Sequence, residues 1–322
     1  MLVLGLQGSP RKKGNTHILL SAFLEEAEAL GARTRQVRVP GKEISPCQEC
    51  GACERKGYCA IQDDMQEIYP LLWEADLLVL ATPIFFYGPT AQIKALIDRS
   101  QALWARKYTL GLSDPGRKWR KGFLLAVGAT KGKNLFDGTA LTAKYFFDAV
   151  GADFAGTLGF REVEGPGDIR NHATALDQAG EKARLLVEPY LKRKKILFVS
   201  THDACNSRMA AAFARFHAGD RVEAWSGGSE PAREIDPVMV EAMAEKGIDM
   251  AYQGPKSWED ASPNRNPDLL IAVGDCDIKS SFPDVPAQKW DVEDPRGKPA
   301  AVMRRVRDQI EERVAALLEE GV

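Results

Sequence analysis

The chain has 322 residues, of which 44% are hydrophobic and 27% charged, with a formal net charge of -2. That length exceeds one ordinary core and suits two domains of roughly 130 to 190 residues each; the near-neutral balance excludes a strong field that would recruit nucleic acid or an acidic membrane. No apolar stretch approaches the roughly 18 residues of a membrane span, and the short apolar run at the start has no basic leader, so a cytoplasmic, reducing location is expected.

In chain order, apolar runs alternate with amphipathic stretches. LVLGLQ reads as a strand, 16–30 as a helix, TRQVRV as a strand, 65–73 as a helix and DLLVLAT as a strand. A helix from Thr90, the strand GFLLAVGA, a helix near Leu141, the strand DFAGTLGF and a helix ending near Leu191 complete the first half. Strand and helix in turn predict an α/β domain with a doubly wound parallel sheet over 1–192. The basic run at 192–195 reads as cations closing a helix in a short linker. From KILFVS the pattern restarts: a helix over 207–217, the strand VEAWSG, a helix over 237–246, the strand DLLIAVG, a short strand near AQKWDV and a long helix after Pro299. This predicts a second, smaller doubly wound domain over 195–322, with no visible sequence repeat of the first.

The first strand empties into GSPRKKGNT, which opens a helix. Ligands of open α/β sheets bind where strands end, and a helix N-terminus offers free N–H groups and a positive dipole to phosphate. Ser9, Arg11, Asn15 and Thr16 would complete an anion cradle, although Gly, Ser, Asn and Thr are equally turn and cap residues. Neither the dinucleotide nor the nucleotide-triphosphatase glycine pattern is present, which leaves a mononucleotide. After the third strand, ATPIFFYGPTAQIKALIDR sets Phe85, Phe86 and Tyr87 in a loop pinned by Pro and Gly, able to wrap a flat ring; aromatics here could equally be core.

Four of the six cysteines fall in PCQECGACERKGYC. Cys47, Cys50, Cys53 and Cys59 are spaced C-x2-C-x2-C-x5-C, and two-residue gaps let a loop curl so that sulfurs converge on one centre. In a reducing compartment four clustered thiols point to a metal rather than to disulfides, and they suit a [4Fe-4S] cluster or a structural zinc. The spacing departs from the bacterial ferredoxin run in its last gap, and Ala60 stands where that run has Pro.

The phosphate loop, the aromatic loop and the glycine-rich AVGATKG after the fourth strand together resemble the NAD(P)H-dependent FMN reductases of flavodoxin-like fold. More narrowly, with the cysteine motif ahead of the aspartate pair in CAIQDDM, residues 1–190 resemble the iron-sulfur flavoproteins. The resemblance implies FMN held by Ser9, Arg11, Asn15, Thr16, the loop of Pro83, Ile84, Phe85, Phe86, Tyr87 and Gly88, and the loop of Gly128, Thr130, Lys131 and Gly132. It implies a [4Fe-4S] cluster on Cys47, Cys50, Cys53 and Cys59, NAD(P)H or a protein as electron donor, a small-molecule or protein acceptor, and a homo-oligomer. No protein acid or base is demanded, because flavin chemistry is centred on the cofactor.

From residue 195 the stretches ILFVSTHDACNSRMAAAF, SGGSEPAREIDPVMVEAMAEKGID and WDVEDPRGK resemble the low-molecular-weight phosphotyrosine phosphatases and the arsenate reductases built on the same fold. Aligned on Met209-Ala210, Ser200 takes the place of that family's nucleophilic cysteine and Asn206 that of its arginine, while Asp294 keeps the place of the general acid. A degenerate anion loop of Ser200, His202, Asn206, Arg208 and Asp294 follows, without phosphatase or self-contained arsenate reductase activity. Gly274 stands where a relay cysteine is expected, Cys276 lies two residues on, and Cys205 and Cys276 are read as packing residues or, alternatively, a redox couple. The functions in view are therefore an FMN-dependent, cluster-bearing oxidoreductase, a redox-linked sensor or docking protein whose second domain binds an anion or a partner, and, last, an arsenate reductase fusion.

Overall fold

The structure, a computed structural model, describes residues 1–261, 266–276 and 282–321. It forms two units, Met1–Gly111 with Arg117–Leu191 and Leu112–Gly116 with Lys192–Val322.

The first unit carries β1 (Leu2–Gln7), α1 (Asn15–Ala29), β2 (Arg33–Arg38), α2 (Ala52–Lys56), α3 (Met65–Glu74), β3 (Leu77–Pro83), α4 (Ala91–Arg99), α5 (Gln101–Tyr108), β4 (Lys121–Val127), α6 (Asp137–Ala149), β5 (Asp153–Phe160) and α7 (Ala175–Leu191). Its five strands are all parallel in the order β2-β1-β3-β4-β5. The sequence explains the order of burial. β1, β3 and β4 are near-continuous apolar runs and sit inside the sheet, covered on both faces, whereas β2 and β5 mix polar residues in and lie at its edges. Apolar side chains of α1 and α7, including Leu19, Phe23, Ala179, Ala183 and Val187, close one face of that sheet.

The second unit carries β6 (Lys194–Ser200), α8 (Asn206–Ala218), β7 (Val222–Gly228), α9 (Pro237–Glu245), α10 (Trp258–Ala261), β8 (Leu269–Val273), β9 (Ala287–Trp290) and α11 (Ala300–Glu319). Its four strands are parallel in the order β7-β6-β8-β9. Met209, Phe213, Met303, Val306, Ile310 and Val314 bring α8 and α11 together on Ile196, Phe198 and Ile271 of the sheet. Both sheets are therefore doubly wound α/β layers, as the alternation of elements predicts. Not foreseen were α2, α5, α10 and the membership of Leu112–Gly116 in the second unit, where Ser113 N–H donates to Gly247 O at 2.7 Å and Asp249 N–H to Ser113 O at 2.9 Å. Among the described residues no helix is long and apolar enough to cross a membrane.

Candidate functional site

In the first sheet the order reverses between β1 and β3, and an open parallel sheet binds ligands at the carboxyl ends of its strands beside such a reversal. The register brings three loops to that edge. Gln7 lies opposite Ala81 and Pro83 opposite Val127, so the segments after β1, β3 and β4 emerge side by side. Gly8 N–H donates to Ala81 O at 2.8 Å, Ile84 N–H to Val127 O at 2.9 Å, and the Thr90 hydroxyl, N-cap of α4, to Gly8 O at 2.8 Å.

The loop after β1 is built from beneath by the fully buried Gln7, whose Nε2 donates to Ser9 O at 3.2 Å. Ser9 Oγ accepts from Arg11 N–H, and the first intrahelical bond of α1 runs from Ile18 N–H to Gly14 O, which leaves the first-turn amides of Asn15, Thr16 and His17 directed at the strand edge. Arg11 is exposed and donates to Glu164 O at 3.2 Å. Asn15 has a different task from the predicted one: its amide donates to Gly165 O and accepts from Gly167 and Ile169 N–H, which ties the segment after β5 to α1. Thr16 is buried in the same helix turn.

The loop after β3 is a tight turn closed by reciprocal bonds between Phe85 and Gly88. Its two central residues, Phe86 and Tyr87, have φ of 50° and 62°, a left-handed pair that such turns ordinarily fill with Asn and Gly. Side chains of this size cost roughly 1 to 2 kcal/mol each there. The strained turn lifts Phe85, Phe86 and Tyr87 into solvent, Phe86 completely. It is braced by α6, since the Thr139 hydroxyl donates to Tyr87 O and a Cβ on Gly138 would stand 2.6 Å from that oxygen. A Cβ on Gly132 would clash with the Tyr87 hydroxyl, so the loop after β4 borders the turn; Thr130 and Lys131 on it are exposed, and Lys131 pairs with Glu162 at 3.1 Å. The N-terminal end of α1, a raised aromatic turn and a glycine-rich border thus share one sheet edge.

The cysteine loop follows β2. Each C-x2-C gap contains one left-handed residue, Glu49 at φ 52° and Gly51 at φ 66°, and Gly57 at φ 73° closes α2. These reversals curl the backbone in the way a shared centre requires. Cys47 and Cys50 are exposed, and Cys53 and Cys59 are half-buried. Burial pushes the Cys53 thiol up. Among the described residues no three His, Cys, Asp or Glu side chains converge as a ready metal set. The donor type and the curled backbone nevertheless fit a thiolate-ligated cluster.

Two arginines anchor this loop, and no motif in the sequence marks either. Arg99, at the end of α4, has a fully buried side chain and grips Asp63 at 2.6 Å; it also donates to Ser45 O at 3.0 Å, Ile61 O at 3.2 Å and Cys59 Sγ at 3.2 Å. Burial alone would push the Asp63 carboxyl up, but Arg99 and the N–H groups of Ser45 and Met65 hold it below the usual carboxylate range. Arg106 of α5 donates to Gly57 O at 3.0 Å and covers the Tyr58 ring at 4.7 Å. The aspartate pair is therefore structural, Asp64 Oδ2 accepting from Glu43 N–H at 2.8 Å. The available signal was the spacing Ile93, Leu96, Arg99, a charge in line with the buried face of a helix.

In the second unit the loop between β6 and α8 borders a cavity of about 220 Å³ lined by Ser200, Thr201, His202, Ala204, Cys205, Asn206, Val273, Gly274, Asp275, Asp294 and Arg296. Ser207 donates to Asp203 Oδ1 at 2.9 Å, so in the 2.8 Å contact of the two serines Ser200 is the donor, and Ser200 Oγ accepts from Asp203 N–H. The hydroxyl at the nucleophile position is spent inside the loop. Arg208 does not line the cavity; it turns inward to Asp203 at 2.7 Å, both side chains almost fully buried. Asn206 Nδ2 donates to Glu293 O at 3.1 Å, and His202 Nδ1 meets Glu230 O at 2.9 Å. Burial, with Asp236 and Asp294 nearby, pushes the Cys205 thiol far up. Burial would raise Asp294 as well, but Arg296, at 2.6 Å, holds it below its usual range and therefore ionised. Arg296 is the arginine lining this cavity beside its loop, a place no motif in the sequence marks.

Residues 1–151 match the NADPH-dependent FMN reductase family and residues 195–321 the low molecular weight phosphotyrosine protein phosphatase family. An iron-sulfur flavoprotein of Methanosarcina thermophila is 37% identical over 131 residues, 41% of this chain; the chain spans 65% of that protein's length, just under two thirds. An arsenate reductase of Bacillus cereus (strain Q1) is 34% identical over 132 residues, 40% of this chain and 97% of that protein. A solved arsenate reductase in the phosphate binding state shares 30% identity over 39% of this chain and 98% of its own, with a TM-score of 0.37. The chain thus belongs to the low molecular weight phosphatase and arsenate reductase family over its second unit, and ahead of it lies a first unit similar over residues 1–151 to the FMN reductases.

Proposed function

We propose that the protein is an FMN-dependent oxidoreductase with a [4Fe-4S] cluster in its cysteine loop, taking electrons from NAD(P)H or a protein donor and passing them to an acceptor. The observation that carries this reading is the convergence of the loops after β1, β3 and β4 on one sheet edge beside the order reversal. The first-turn amides of α1 and Ser9 would take the phosphate, with Arg11 at the rim. The turn of Phe85, Phe86 and Tyr87 would cover the ring system and exclude water from one face, and Gly128, Thr130, Lys131 and Gly132 would border its polar edge. Cys47, Cys50, Cys53 and Cys59 would ligate the cluster, with the curled loop drawing the exposed pair inward on binding. When bound, the two groups supply hydride acceptance and single-electron transfer. Relatives named iron-sulfur flavoprotein support this assignment. Self-association belongs to the same reading and is supported by the exposure of the aromatic turn. Anaerobic purification of the full chain tests it: FMN as the released chromophore with about four iron and four sulfide per chain is expected. FAD, no flavin, or zinc in place of iron would refute it.

A second reading concerns the second unit, which we propose is catalytically retired and retains anion binding in a sensing or docking role. The specific support is a loop whose Ala204, Cys205 and Asn206 N–H groups make no bond among the described residues, next to Arg296, while the nucleophile and its arginine are replaced. Calorimetric titration of the full chain with inorganic phosphate should show binding that Arg296→Gln weakens; equal binding in both proteins would exclude this role for Arg296.

A further inference from the structure

Arg99 commits its whole guanidinium to the cysteine loop and its flanks. Its guanidinium is wholly buried, and a buried guanidinium must place its N–H groups on acceptors. Two carbonyls of the cysteine loop, Ser45 O and Ile61 O, and both oxygens of Asp63 take four of its contacts. These would suffice to fix the loop and to balance the charge. The remaining donor, Nε–H, is directed at Cys59 Sγ at 3.2 Å. A neutral thiol is a poor acceptor for such a donor, whereas a metal-bound thiolate sulfur is a good one. Cys59 is also the ligand set apart by the longest gap, five residues, so it needs an anchor that the curled C-x2-C turns do not supply.

We infer that Arg99 is a positioning residue for the cysteine loop, holding Cys59 in ligating position and, through Nε–H on its sulfur, raising the reduction potential of the cluster. The inference rests on the cluster-bearing reading of the first unit. Hydrogen bonds to ligand sulfurs stabilise the added electron on reduction, so their loss lowers the potential. Asp63 acts in the opposite sense, because its carboxylate offsets the guanidinium charge felt at Cys59.

The test uses the anaerobically purified full chain, with iron and FMN content and a dye-equilibrated redox titration followed by electron paramagnetic resonance. Arg99→Lys keeps the charge against Asp63 but lacks the fork. It should retain FMN and shift the reduced-to-oxidised ratio of the cluster about tenfold towards oxidised at a given potential, about 59 mV for one electron. Asp63→Asn should shift it the other way, and that variant decides the matter if the first does not fold. Loss of iron from Arg99→Lys with FMN retained also supports the positioning role. A wild-type cluster whose potential neither variant moves overturns the inference while leaving the function intact. A wild type that holds FMN but no iron overturns the cluster reading and this inference together.

Discussion

Replacing Asp203 by Asn isolates the interaction that holds the loop between β6 and α8. Asn tolerates the left-handed backbone at this position, φ 47°, and keeps the side-chain shape, so the change removes mainly charge. The carboxylate meets Arg208 Nη2 at 2.7 Å and accepts from Ser207 Oγ and from Lys256 N–H, each at 2.9 Å. At that separation the Coulomb term is about 6 kcal/mol with an effective dielectric of about 20. Part of it is already offset by the desolvation of both groups, and leaving one member of a buried pair uncompensated costs roughly 3 to 5 kcal/mol. Because two units preclude a single two-state melt, the assay is hydrogen exchange read by mass on peptides from β6 and α8. Exchange through opening of the second unit should accelerate roughly 150-fold, the equivalent of about 3 kcal/mol. Arg208→Met placed on top of Asp203→Asn should recover part of the loss, since no charge is then stranded. Exchange in Asp203→Asn within about fivefold of wild type would refute the argument.

The pH dependence of the first unit follows from Asp63. Its folded value lies below its unfolded one, so its contribution is fully present above about pH 4 and is lost as the pH falls through the folded value. The apparent melting temperature of the first unit should fall as the pH drops below about 4, and Asp63→Asn should start lower and fall less; parallel curves would contradict this. Gly138→Ala puts a Cβ 2.6 Å from Tyr87 O, so the aromatic turn must shift and FMN should bind about tenfold more weakly in a fluorescence titration, about 1.4 kcal/mol; unchanged affinity would remove the turn from the flavin site. The unmodified protein should neither hydrolyse p-nitrophenyl phosphate nor reduce arsenate with thiol. Activity appearing only after Ser200→Cys with Asn206→Arg would mark an inherited scaffold, and activity in the unmodified protein would overturn the alignment.

Nine strands were legible because parallel sheets bury near-continuous apolar runs, and DLLVLAT or KILFVS can hardly be read otherwise. The three strand-end loops were legible because their turn residues are local. What stayed hidden is tertiary. Arg99 shows a buried-face spacing with Ile93 and Leu96, yet nothing in the string names Asp63 and Cys59 as its partners. Asn15 looks like a phosphate ligand until residues 165–169 arrive to occupy its amide. Arg208 sits in the anion loop by number, but the buried Asp203 turns it inward and leaves Arg296, from 87 residues beyond Met209, as the cation at the cavity. Residues 112–116 carry no periodic signal, and the pairing of Ser113 with residues 247 to 249 accompanies their place in the second unit.

On the proposed function, one chain holds a two-electron and a one-electron centre together. A reductive titration of the anaerobic full chain with dithionite, followed by absorbance, tests it most directly. About three electrons per chain are expected, two assigned to flavin and one to the cluster. Uptake of about two electrons would leave a flavoprotein without a cluster, and no uptake would contradict the account altogether.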